Sequence, residues 1–451
     1  MNVVVLGSGT DALVAGHLLA RAGHRVTLLN EGLTGAKADD GWVAPAILEA
    51  LGLGIQSGWA DPWASVLLAD GGTLDLWQDM TRTVESLRRV SPRDAGKWPD
   101  FCQRMAALAS VFEEMYAKPP VNPMDVGLAV RVRRLGRQGM EDLMRVLPMP
   151  VAELLDDWFE CDALKGALGA MGILHLQQGP RSAGTAFRLL HHHVGSPPGV
   201  FRPPRSNLGA LLRASAAVET RAAAVARINV REGRVAGVVL ASGEEMEAAL
   251  VVSSLDPRRT LLELADAGWL DPQLARAVSH LRRRGVAARL FFKGQPQSLV
   301  VAPSLDYLER AYDDAKHGRV SSAPYLEARA VDNGTEVHFQ YTPYAGGREI
   351  AEATRRLLPG LADAEPSVLG PRELEAREGW PEGQAYHVEL ALDQALWMRP
   401  LPQLAHYRTP IEGLWLCGPG MHPGGGIAGA AGFNCVRALL SHLSKRGKPP
   451  A

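Results

Sequence analysis

Cysteine is scarce: Cys102, Cys161, Cys417 and Cys435 are the four in 451 residues, and no Cys-x-x-Cys pair occurs. That spacing excludes a zinc ribbon and a disulfide framework, so no metal is expected. It fits a reducing, cytoplasmic setting. Net charge is lacking too, with 48 Lys+Arg against 49 Asp+Glu. Nucleic-acid binders usually show a basic excess, so nucleic acid is not an expected partner. Lysine is rare beside arginine, a bias that a GC-rich genome explains. No apolar run reaches the roughly 18 residues that a membrane-spanning helix needs. The start, Met1 to Gly7, has no charged n-region, so no signal peptide is expected.

Hydrophobic residues make up 46% and charged residues 22%, ordinary for a globular protein. At roughly 100–200 residues per domain, the length implies two or three domains. Asn2 to Leu6 reads as a buried parallel strand, Asp11 to Ala22 as a helix stopped by Gly23, and His24 to Leu29 as a second strand. Ser65–Ala69 and Thr73–Trp77 read as a hairpin, and 79–217 as mostly helices. Val225–Val230, Val235–Leu240 and Ala248–Ser253 read as a three-stranded meander. More strands follow in 285–345, around a helix near 304–317. Leu414–Cys417 reads as a strand that runs into a glycine turn and a final helix to about 444. The expected fold is α/β, with a nucleotide-binding domain split between the chain ends and a mixed sheet-and-helix domain inserted. The expected segments are 1–78, 205–262 and 406–444 for the first domain, 79–204 and 263–405 for the second, and a flexible tail at 445–451.

Gly7-Ser8-Gly9-Thr10-Asp11-Ala12 is a G-x-G-x-x-A loop between a strand and a helix. Gly7 permits a tight turn, Gly9 lets a pyrophosphate approach the backbone, and Ala12 lets helix and strand pack closely. The helix N-terminus supplies N–H groups to the phosphates. The bland alternative is a plain βα turn. The acid that should hold the ribose belongs about twenty residues on. Asn30 stands there, with Glu31 next. The second motif runs from Gly413 to Gly432 and is dense in glycine at a helix start. Such density costs stability unless something approaches the backbone. That something is either a ligand edge or a packed neighbour.

With these motifs in view, the chain resembles the phytoene desaturase-like FAD-dependent oxidoreductases. Within them it is most similar to the branch of pyridine nucleotide-disulphide oxidoreductase domain-containing protein 2. The resemblance rests on Trp415 to Gly418 continuing through His422 to Gly426, and on His338 to Tyr344. It rests also on Gly383 to His387, Leu392 to Gln394, Arg399-Pro400 and Leu190 to His193. It implies a Rossmann-like FAD domain, with Gly7, Gly9 and Ala12 at the pyrophosphate and a backbone contact from Val225 to the adenine. Gly418, Gly420, Gly424, Gly425, Gly426 and Gly429 would lie along the ribityl chain and the flavin ring. The implied activity is FAD-dependent removal of hydride from an apolar small molecule. Three departures stand out: Asn30 in place of the acid, a short 32–41 segment without paired glycines, and Arg205 to Gly209 where adjacent glycines are usual. They keep open the alternative of a non-catalytic relative that binds a ligand or partner protein.

His422, inside the glycine turn, and His387, near Glu389 and Asp393, are the candidate acid/base residues. Nearby carboxylates would raise the pKa of His387. His191, His192 and His193 point about 100° apart on a helix, so they cannot share one ion. The basic stretch 129–137 is either a solvated arginine face or a peripheral membrane contact. Homo-oligomerisation is left open.

Overall fold

The structure is a computed structural model that describes residues 1–31, 41–120, 126–284, 287–294, 296–342, 347–361 and 364–446. Most of the short segment after Glu31, Pro343, Tyr344 and the end of the tail lie outside the described residues.

Asn2–Leu6 is a strand with four consecutive buried residues, as expected where both faces are covered. The helix Thr10–Arg21 follows, and Gly23, at φ 84°, turns the chain into the strand Arg25–Leu29. These two strands sit in a five-stranded sheet of order Leu414–Leu416, Leu250–Ser253, Asn2–Leu6, Arg25–Leu29, Glu219–Arg221. Every pairing in it is parallel. The sheet therefore draws strands from both ends of the chain and from its middle. The final helix, Ala430–Arg446, packs on the first. Their backbones nearly touch, since a Cβ on Gly432 would fall 2.1 Å from the Asp11 carbonyl oxygen.

The meander differs from expectation in its third strand. Val225–Arg231 and Arg234–Leu240 pair antiparallel as expected, but their partner is Glu245–Glu247. Leu250–Ser253 leaves them for the parallel sheet and pairs with Asn2–Leu6. All four of its residues are buried, which suits a central parallel strand and not an edge strand with one wet face.

A second sheet has seven strands. In order they are Ser367–Leu369, Ala287–Lys293, Gly334–Gln340, Leu326–Val331, Leu299–Val301, Ala64–Leu67 and Thr73–Leu76. The hairpin of residues 64–76 thus joins this sheet and not the parallel one. The helix Gly347–Leu357 covers part of it, burying Ile350 and Ala353 near Leu290, Val337 and Phe339.

A layer of helices from residues 80–193 packs on the strands Ala64–Leu67 and Thr73–Leu76 of that sheet. Its longest member, Pro92–Tyr116, buries Trp98, Phe101, Phe112 and Tyr116. Asp94, fully buried, accepts hydrogen bonds from the amides of Glu160 and Cys161, and so fixes the entry to the helix Asp162–Ile173. In the basic stretch Arg131 pairs with Glu114 and Arg137 with Glu141, while Val130 is exposed. Among the described residues no helix is long and apolar enough to cross a membrane.

Candidate cofactor cleft

A cleft of about 1090 Å³, counted to its open mouth, runs between the two glycine motifs. One wall is Gly7, Ser8, Gly9, Thr10 and Asp11; the other includes Pro419, Gly425, Gly426, Ile427, Ala428 and Gly429. Gly7, at φ 114°, has the Ser254 hydroxyl where a Cβ would go, 2.2 Å away. Gly9 differs: a Cβ there would meet nothing within 4 Å among the described residues. Gly9 is also the N-cap of the first helix, and no side chain caps that turn. The positive end of the helix therefore opens into the cleft, as an anion site requires. Ala12 is fully buried behind it, where small size permits the close packing. Asp11 faces the second helix start and accepts from the Gly432 amide at 3.2 Å. Burial pushes its pKa up to about 7, against the pull of the Gly432 and Ala431 amides.

The C-terminal turn is clamped by its own chain. His191 bridges two elements: its Nδ1 meets the Tyr116 hydroxyl at 2.8 Å and its Nε2 the Gly425 carbonyl at 2.8 Å. Trp42 donates to the Gly426 carbonyl and accepts from the Ala428 amide. Arg399, fully buried, donates to six backbone carbonyls: those of Tyr386, Val388, Glu389, Gln394, Pro419 and Met421. Burial lowers its pKa to about 9, so it stays cationic at neutral pH.

The glycines of this turn divide into two sets. Gly425, Gly426 and Gly429 line the cleft, but Gly418, Gly420 and Gly424 do not. A Cβ on Gly418 would lie 2.1 Å from the Ser254 carbonyl oxygen, on Gly420 2.9 Å from Pro257, and on Gly424 3.0 Å from Leu390. Their approach is to the protein itself. Gly425 does both jobs, since Tyr386 packs onto it so tightly that a Cβ would fall 1.8 Å from the ring.

His387 lines the cleft, but its neighbourhood reverses the expected titration. Glu389 and Asp393 are both held by Arg282. The ring instead feels burial first and then Arg399, Arg259 and Arg283, which together lower its pKa to about 3. It is a neutral imidazole whose Nδ1 is buried without a hydrogen-bond partner among the described residues. His422 does not line the cleft. It is buried beside Tyr116, its Nε2 is 3.3 Å from the Met115 carbonyl, and burial lowers its pKa to about 4. It is therefore a core histidine and not an acid/base group at the cleft.

Glu31 is occupied elsewhere: Arg259 grips both of its carboxylate oxygens at 2.8 Å. Asn30 sits at the end of its strand, its amide bonded to the Arg221 carbonyl. Val225, buried at the start of the small antiparallel sheet, lies outside the cleft lining. The three consecutive histidines reach different carbonyls: His191 that of Gly425, His192 that of Met171, His193 that of Val200.

Sequence reasoning missed His175 and Trp380 and gave Tyr386 no role of its own; all three line the cleft. They also open onto a second chamber of about 750 Å³ to its mouth. Its wall adds Leu174, His192, Arg202, Pro203, Arg289, Glu327, Arg329, Glu336 and His338. These residues come from scattered segments, and no local pattern announces them.

FAD fits the first cleft. The uncapped helix start, the open approach at Gly9 and the partnerless His387 Nδ1 each leave room or a bonding atom for it. Comparison with known proteins agrees. No family model matches the chain. Pyridine nucleotide-disulfide oxidoreductase domain-containing protein 2 of Rattus norvegicus is 27% identical, over 98% of this chain and 94% of its own. The neurosporene-forming phytoene desaturase of Cereibacter sphaeroides is 27% identical over 50% of each chain. Among solved structures, putrescine oxidase bound to putrescine matches with a TM-score of 0.59 at 14% identity, covering 99% of this chain and 100% of that one. The resemblance to phytoene desaturase-like FAD-dependent oxidoreductases is borne out.

Proposed function

We propose that the protein is an FAD-dependent oxidoreductase that takes hydride from a small molecule held beside the flavin ring. The observation that carries this is the continuous cleft from the uncapped helix start at Gly9 to the glycines at 425–429. The parallel sheet is the FAD-binding domain, assembled from the two chain ends and the middle segment; the seven-stranded sheet and the helices form the substrate domain.

FAD, when bound, supplies a two-electron acceptor for hydride, later reoxidised by an electron acceptor. The amides after Gly7 and Gly9 would hold the pyrophosphate, and Gly425, Gly426 and Gly429 would hold the flavin end. His387 is neutral at physiological pH, so its ring offers the cleft a hydrogen bond without a charge. Tyr386 and His175 line both the cleft and the chamber beyond it. The apolar substrate that the resemblance implies would meet arginines and glutamates in that chamber.

The purified protein is expected to show the visible spectrum of bound flavin. A protein that stays colourless with excess FAD would sink this reading and leave the non-catalytic alternative. Gly9→Val puts its side chain into open space, so the fold is expected to survive. The same side chain blocks the phosphates. FAD should then raise the Tm of the parent but not of the variant, a loss of at least about tenfold in affinity.

Glu31 gives a contrasting prediction. Glu31→Gln breaks the paired hydrogen bonds to Arg259 and is expected to lower stability by about 1 kcal/mol. FAD affinity should stay within about twofold, because the carboxylate is already committed. Urea unfolding and a flavin titration read the two effects separately. A large affinity loss at unchanged stability would return Glu31 to the ribose.

A further inference from the structure

We propose that the second chamber is the substrate pocket, and that its ligand is an uncharged hydroxyl compound whose O–H donates to Nδ1 of His338. This rests on the flavin reading above and adds the substrate class to it.

Position comes first. His175, Trp380 and Tyr386 line both spaces, and Tyr386 packs on Gly425, in the stretch given to the flavin end. A molecule in the chamber therefore sits beside that end of the cleft.

A fixed lone pair comes second. His338, on the strand Gly334–Gln340, lines the chamber. Its Nε2 is 2.9 Å from Oε1 of Gln340. The amide of Gln340 has one orientation, because its Nε2 donates to the carbonyls of Ile173 and Leu176. Its Oε1 can only accept, so His338 carries a proton on Nε2. Burial lowers the pKa of this ring, which is therefore neutral and keeps its lone pair on Nδ1. That Nδ1 has no hydrogen-bond partner among the described residues and is not enclosed by them. The other wall histidines differ. His192 donates from Nδ1 to the Met171 carbonyl and accepts at Nε2 from Arg188, so both of its nitrogens are occupied. His175 has its Nδ1 enclosed without a partner among the described residues.

Charge comes third. Glu327 takes hydrogen bonds from both terminal nitrogens of Arg202, from Arg329 at 3.1 Å and from the Tyr325 hydroxyl at 3.1 Å. Glu336 pairs with Arg289. Both carboxylates of the wall are thus committed, and an ammonium ion would find no free counter-charge. A hydrocarbon would strip water from these groups and return nothing. A hydroxyl supplies the hydrogen bond that His338 lacks. Leu174, Pro203 and the rings of Trp380 and Tyr386 offer apolar surface to the rest of the molecule.

Benzyl alcohol, benzyl methyl ether, toluene and benzylamine share a ring and differ in the head group. Benzyl alcohol is expected to raise the Tm of the purified protein saturably, with the other three at least tenfold weaker. The ether is the sharpest control, since it keeps the oxygen and loses the donor. His338→Gln keeps an N–H for Gln340 but puts no acceptor at Nδ1, and should weaken benzyl alcohol at least tenfold. His338→Asn puts an amide oxygen near the Nδ1 position and should bind it within about threefold of the parent. No saturable shift with benzyl alcohol, equal binding of the ether or of benzylamine, or parent affinity in His338→Gln overturns the proposal. If His338→Gln fails to fold, the ligand series and His338→Asn decide. In the flavin-loaded protein benzyl alcohol should also perturb the visible spectrum with the same Kd; binding without that perturbation overturns the placement beside the flavin. If the protein holds no flavin, the functional reading fails alone, and the thermal shifts and variants still decide the chamber.

Discussion

Arg399→Met is expected to remove a large part of the stability of the fold. The guanidinium is the donor for six buried carbonyls, three in residues 386–389, one at Gln394 and two in the glycine turn. Methionine fills similar space but donates nothing. Each carbonyl left bare costs about 1 kcal/mol or more. Removing the cation also relieves its own desolvation, the effect that lowers its pKa to about 9. The net loss is therefore below the simple total, on the order of 4 kcal/mol, against a whole stability of about 5–15 kcal/mol. Soluble yield and the urea midpoint are the measurements. A variant with the parent's midpoint would show that the carbonyls find other donors. Arg399→Lys keeps a charge but not the fork, so it should fold with a loosened cleft and weaker FAD binding.

Acid should unfold the protein early. Burial lowers His193 to about 4, His422 to about 4 and His387 to about 3. A histidine depressed in the folded state leaves the unfolded chain binding more protons below its ordinary pKa of about 6.5, so stability falls as pH falls. At pH 5 each of the three withdraws roughly 2 kcal/mol. Asp11 acts in the opposite sense. Its carboxyl, raised to about 7, takes its proton earlier when folded and returns roughly 2.5 kcal/mol over the same interval. His175, His191 and His192 lie well below the ordinary histidine range and add to the loss. The balance is a destabilisation of at least about 3 kcal/mol between pH 7.5 and 5. Urea midpoints at the two pH values test it, and equal midpoints would refute it.

The N-terminal βαβ unit is legible because its signals are local: a buried run, a G-x-G-x-x-A loop, an amphipathic stretch and Gly23. Leu250–Ser253 is legible as a strand but not as to its sheet, since Val235–Leu240 and Asn2–Leu6 are both plausible partners until the chain is folded. The glycine turn was half legible. Glycine density signals a close approach to the backbone, but not whether a ligand approaches or, as at Gly418 and Gly420, the protein itself. His387 is the sharpest case. Its sequence neighbours Glu389 and Asp393 suggest a raised pKa, yet both turn to Arg282, and arginines from distant segments reach the ring. The second chamber was not legible at all. Its charged residues are Arg202, Arg289, Glu327, Arg329 and Glu336, each ordinary in its own stretch.

The parallel sheet places Asn2–Leu6 between a strand from the middle of the chain and another beside it, with Leu414–Leu416 completing one edge. The two walls of the cleft thus come from opposite ends of the sequence. Closing so long a loop carries an entropy cost that grows slowly with length, but pairings so far apart form late in folding. The cofactor site therefore comes into being only when the C-terminal strand and helix dock. A dinucleotide bound across it would act as a staple over the longest loop in the chain, so its loss should first loosen the two ends and leave the seven-stranded sheet intact.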